Sequence, residues 1–231
     1  MEKLLYLHIP KTGGVAFRSI IENSVCSEKI LHITSPADLP TKAGQKKFDF
    51  IHGHLNIRKT KNITDHKLIT SLRNPIDRCI SAYSFWRSLN PNDAAIDPNG
   101  LMKIRKAQEL SLDEFISTRE PLIISELSNL QTRLLSGAKK AELHLDATHL
   151  EKAINTLKSA ALFALNSRLD ESIDMLCYKF GFFRPSTMQK INTSIHPKII
   201  SPESTKALHE LNHLDLRLLE WAENNFNRQH I

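Results

Sequence analysis

Cysteine is scarce in this chain: Cys26, Cys79 and Cys177 are the only three in 231 residues. They are odd in number and far apart, with no CxxC pair and no Cys/His spacing suited to a metal, which argues against a zinc site. Unpaired, scattered thiols suit a reducing, intracellular setting. Long apolar runs are also missing, so no membrane span is expected. Leu4 to Ile9 is too short for a signal-peptide core and runs straight into a loop, so the chain, read as complete, is expected in the cytoplasm. Blocks of one charge are absent as well. Lys and Arg exceed Asp and Glu by +6, but no basic run is longer than two, so a nucleic-acid partner would rest on net charge alone. Internal repeats, low-complexity tracts and linkers are lacking, and residues 1–231 are expected to form one domain.

What is present is alternation. Apolar runs of strand length at 4–9, 29–34, 48–55, 67–75 and 161–166 are interleaved with helical spacing. The first helices are expected at 15–24 and 76–89. Later ones open at the Ser111/Glu114 capping box, cover 125–137 and end at Gly137, run from the Asp146 cap to 160, cover 169–180 ahead of Gly181, and start at Ser201-Pro202 to run to 226. Residues 35–47 and 90–108 read as loops. The pattern predicts an α/β fold with a central, mostly parallel sheet flanked by helices and a helix-rich C-terminal half.

The first strand-to-helix turn is the most informative stretch, "LLYLHIPKTGGVAFRSI" at 4–20. A turn of this kind aims the free N–H groups and the positive dipole end of a helix into a crevice. Gly13 and Gly14 allow a tight backbone, Lys11 adds a mobile charge and Thr12 a hydroxyl. The set describes a site for a phosphate or a similar oxyanion. It is not the GxxxxGK[ST] nucleotide loop, whose lysine follows the glycines, nor the GxGxxG dinucleotide turn.

This HIPKTGG loop resembles the 5′-phosphosulfate loop of sulfotransferases that use 3′-phosphoadenosine 5′-phosphosulfate (PAPS), most of all the heparan sulfate 2-O-sulfotransferase branch and its bacterial relatives. The likeness implies that Lys11, Thr12, Gly13, Gly14, Val15 and Ala16 hold the donor. Val15 stands where that family often has threonine, which leaves its backbone N–H as the contact. "SLRNPIDRCISAY" (71–83) is similar to the family's 3′-phosphate segment, with Arg73 and Ser81 at the matching positions. Arginine suits that task independently, since its planar fork grips phosphate bidentately. Fainter likenesses lie at 129–137, 163–176 and 213–222, and a polar loop at 190–198 offers Lys190, Asn192 and Thr193 as further contacts. The resemblance implies a P-loop-like core, PAPS as co-substrate without a metal, and an acceptor hydroxyl, on a carbohydrate by analogy with that branch.

Such an acceptor must lose a proton, and histidine is the natural base near neutral pH. "FIHGHLN" (50–56) places His52 and His54 at a strand end. The resemblance implies that His54 is the first choice of base and His52 the second. Arg78 is read as one half of a structural ion pair, His8 and Trp86 as packing residues, and Glu114, Glu126 and His149 as helix-surface residues. Two other readings stay open: a nucleotide-dependent kinase, which lacks an evident metal-binding carboxylate, and a non-catalytic module that binds PAP or another nucleotide.

Overall fold

The computed structural model describes residues 2–93, 96–139, 141–142, 144–184 and 200–230. Its centre is a sheet of five parallel strands: β1 (Leu4–Leu7), β2 (Ile30–Ile33), β3 (Phe50–Gly53), β4 (Lys67–Leu72) and β5 (Leu162–Leu165), in the order β2-β3-β1-β4-β5. Strands covered on both faces need apolar side chains throughout, and β1, β3 and β5 are buried along their whole length. The edge strand β2 is the half-exposed one. From β1 the chain winds out to β2, returns to β3, then crosses β1 to β4 and β5. That reversal opens a crevice beyond the carboxyl ends of β1, β3 and β4, where open α/β sheets take their ligands.

The helices are α1 (Gly14–Glu22), α2 (Pro75–Ser88), α3 (Pro98–Glu109), α4 (Leu112–Ser117), α5 (Pro121–Leu127), α6 (Leu130–Ser136), α7 (Ala147–Ser159), α8 (Leu169–Phe180), α9 (Pro202–Leu211) and α10 (His213–Asn225). The Ser111/Glu114 box, the Asp146 cap and the left-handed Gly137 and Gly181 stops all form at the ends where sequence placed them. A second hydrophobic cluster around Phe115, Tyr83 and Leu127 ties α2 to α4, α5 and α9 beside the sheet.

Three expectations need correction. Residues 90–108 are not all loop, because Asp97 accepts from the Gly100 N–H at 2.9 Å, Pro98 starts α3, and Ile104 and Ala107 bury its inner face. The helix expected over 125–137 breaks at Asn129, which has φ 43°, and the one over 201–226 breaks at Asn212. The breaks answer each other. Asn129 Oδ1 accepts from the Leu214 and Asp215 N–H groups at 2.9 and 3.1 Å, while Asn212 Oδ1 accepts from the Asn129 N–H at 3.2 Å. The buried Asp215 carboxylate then accepts from the N–H groups of Gln131 and Thr132 at 3.0 and 2.7 Å. A negative group on the free N–H groups of a helix start is favourable in both hydrogen bonding and dipole, so α6 is pinned from outside its own sequence.

Candidate active site

The loop after β1 is built by backbone conformation. Lys11 takes φ 69° and Gly13 φ 87°, a region where a side chain is strained. A methyl group at Gly14 would strike the His8 ring and the Tyr6 hydroxyl, and one at Gly13 the Asn166 amide. The chain then enters α1 with no side-chain cap and no acidic residue in its first turn. Its first N–H groups and dipole therefore face the crevice, as the sequence implied.

Thr12 departs from expectation. Its hydroxyl is turned inward, donating to the Ile9 carbonyl at 2.8 Å and lying 2.7 Å from Ser71 Oγ, which is itself 2.7 Å from the Tyr6 hydroxyl. All three side chains are buried, and buried hydroxyls must find partners. Burial pushes the Tyr6 phenol far up, so the chain of hydroxyls stays neutral. Thr12 anchors the loop with its side chain and has only its backbone to offer a ligand.

Lys11 lies across the crevice with Nζ 4.1 Å from the centre of the Phe85 ring. Burial, and then the charge of Arg73, lower its pKa. Arg73, just past β4, is clamped by Gln131 of α6. The Gln131 amide accepts from the Arg73 N–H at 3.0 Å and donates to its carbonyl at 2.9 Å. The guanidinium reaches the Lys11 carbonyl at 3.3 Å from Nη1, and its buried Nε has no hydrogen-bond partner among the described residues. Ser81 sits on α2, buried and on the face turned to the crevice. Among the described residues Arg78 makes no ion pair. Fully buried, it donates to the Glu126 carbonyl at 2.6 Å and contacts Cys79 Sγ at 3.1 Å, so it ties α2 to the end of α5.

These groups line one cleft of about 1330 Å³ at the carboxyl ends of the strands. Gly13, Gly14, Val15 and Ala16 form its floor with Lys11, and Arg73, Ser81 and His54 its walls. Eight Lys or Arg residues line it against two carboxylates, Asp97 and Glu126. Such a surplus in a concave site draws anions.

The two candidate histidines are separated. His54, one residue beyond β3, is open to the cleft, with its ring 4.8 Å from that of His8. The surrounding protein draws its pKa down, while the charge of Glu126 pulls it up. His52 instead is buried on the same face of the sheet, stacked on His32 at 4.5 Å and Phe50 at 4.9 Å. It is 1% exposed, is not part of the cleft lining, and burial lowers its pKa to about 3. Its Nε2 is 3.2 Å from Glu22 Oε1 but lacks hydrogen-bond alignment. Residues two apart on a strand share a face, so alternation keeps both rings on one side of the sheet; they differ in depth, His52 lying buried within β3 and His54 exposed one residue past its end. His8 stacks on Tyr6 at 5.2 Å, as a packing residue would, yet also borders the cleft, and burial holds its pKa at about 3.

Several cleft residues escaped the sequence reading. Phe85 lies one helical turn beyond Ser81, so helical spacing carried a usable signal. Asn166 follows the end of β5, where strand-end reasoning would have looked. Glu126 is a wall residue, not a surface one. It pairs with Lys103 at 2.7 Å, and that ammonium lies 5.3 Å from the Trp86 ring centre. Trp86 itself packs on Phe115 and also reaches the cleft. No local pattern predicts that α3 and α5 meet there. Glu114 and His149 do what their capping positions require, away from the cleft. Lys190, Asn192 and Thr193 lie outside the described residues. Among the described residues no group of three His, Cys, Asp or Glu side chains is placed to hold a metal.

No curated protein sequence matches the chain. Among solved structures, the crystal structure of mouse sulfotransferase SULT7A1 complexed with PAP is similar, with 16% identity and a TM-score of 0.49 over 97% of this chain and 90% of that one. The profile of the Sulfotransferase family matches residues 1–222, and the chain belongs to that family.

Proposed function

We propose that this sulfotransferase-family chain moves a sulfuryl group from PAPS to an acceptor hydroxyl on a carbohydrate, with His54 as the base. One observation carries the reading. The uncapped start of α1, Lys11, Arg73, Ser81 and an accessible histidine meet in a single cationic cleft, although they come from three separate stretches of chain.

Sulfuryl transfer is in-line between two oxygens, and positioning plus charge stabilisation does most of the work. The backbone N–H groups of Gly13 to Ala16 and the α1 dipole hold the oxyanions of the donor. Arg73 and Ser81 take its 3′-phosphate. The acceptor oxygen forms a bond to sulfur as the bond from sulfur to the bridging oxygen breaks, and the acceptor proton passes to His54. The Lys11 ammonium offsets the charge that grows on the departing PAP. A lowered pKa suits His54 to this role, because a base must be neutral before it accepts a proton.

The test is incubation with sulfur-labelled PAPS and a panel of sugars and other alcohols. Label on a hydroxyl, with PAP released in equal amount, supports the reading. Tight PAP binding with no transfer across the panel would instead support a nucleotide-binding module.

A further inference from the structure

Phe85 is a large apolar residue left 38% exposed, on the stripe of α2 that also bears Arg78, Ser81 and Ala82 and that faces the cleft. Its ring carries the Lys11 ammonium at 4.1 Å. The remaining surroundings of Lys11 disfavour its charge: the side chain is half-buried, and Arg73 is the charged group acting on it. The two cleft carboxylates are engaged elsewhere, Glu126 with Lys103 at 2.7 Å and Asp97 with the start of α3 at 2.9 Å. Among the described residues no carboxylate pairs with Lys11.

We propose that Phe85 is a positioning residue whose ring face seats the Lys11 ammonium in the cleft and keeps it charged. The electron-rich face of a phenyl ring attracts a cation without bearing a charge of its own. That combination fits this location. A carboxylate at residue 85 would hold Lys11 more firmly but would repel an anionic donor, whereas the ring leaves the cleft cationic and yields Lys11 to a stronger oxyanion partner. The inference rests on the assignment of Lys11 to the donor's leaving oxygen, and its first readout is independent of that assignment.

That readout is a pH titration by NMR of the full chain carrying lysine labelled at Cε, with the Lys11 signal identified from Lys11→Arg. The ε-protons of Lys11 are expected to be shifted upfield by the ring in the native protein. Phe85→Leu should abolish that shift and lower the Lys11 pKa by roughly 0.5 pH unit. Trifluorophenylalanine at 85, which keeps the shape of the ring and weakens its negative face, should give an intermediate value, and Phe85→Trp should preserve the native one. The alkaline limb of kcat should follow the same order, with the KM for acceptor unmoved. Unshifted ε-protons in the native protein, or one Lys11 pKa across the series, would overturn the proposal. If the titration moves as stated but Lys11→Ala keeps full turnover, the seat stands and the catalytic role of Lys11 is what fails.

Discussion

At the scale of single residues, the proposed reaction divides the cleft into groups that would act on the transition state and groups that would hold the donor. In its proposed role Lys11 matters most as negative charge grows on the leaving oxygen, so Lys11→Ala is expected to reduce kcat by about 10²- to 10³-fold, the range for losing one such stabilising group. Arg73→Ala should act on binding. Removing a charged hydrogen-bond partner costs about 1.5–3 kcal/mol, roughly ten- to a hundredfold in PAP affinity by calorimetry. The histidines provide an internal control. His54→Ala should nearly abolish transfer, whereas His52→Ala, with its ring buried against His32 and Phe50, should lower the melting temperature and leave kcat largely intact. The opposite pattern would reverse the assignment of the base.

At the scale of elements, the Arg73 side of the cleft depends on a helix held in place from a distance. Asn129, Asn212 and Asp215 join α6 to α10, and Gln131 on α6 clamps the backbone of Arg73. Asn129→Ala would leave two buried N–H groups at the start of α10 unpaired, at about 1–3 kcal/mol each. We expect a clear loss of thermal stability together with a raised KM for PAPS. Gln131→Leu should preserve the helix junction and still raise that KM, because only the Arg73 clamp is lost. An unchanged KM in Gln131→Leu would show that Arg73 needs no such support.

At the scale of the whole molecule, pH acts through buried imidazoles. His8 and His52 have pKa values of about 3, against about 6.5 in an unfolded chain. The folded state therefore resists protonation that the unfolded state accepts. Their contribution to stability is complete above about pH 6.5 and is lost as the pH falls from there toward 3, at up to about 2.7 kcal/mol per pH unit for two groups. Urea melts between pH 7 and 4 should show this decline, and a double His8→Phe, His52→Phe variant should flatten it. His54 has a lowered pKa, so the acidic limb of kcat/KM should fall below the usual histidine value.

Local chemistry was readable along the chain wherever it is self-contained. Helix caps, strand runs, the double glycine and the Arg73–Ser81 spacing depend on neighbours a few residues away, and each lies where its sequence signal implied. What the linear pattern could not disclose were pairings between distant segments. The inward turn of Thr12 requires Ser71, the break at Asn129 requires Asn212 and the start of α10, and the arrival of Glu126 in the cleft wall requires α3 and α5 to pack around Phe115. Amino-acid sequence alone determined which groups could bind an oxyanion, because backbone dipoles and charged side chains carry that capacity wherever they occur. Only tertiary structure decided which of them face the cleft, because buried polar groups must satisfy one another before any is left for a ligand.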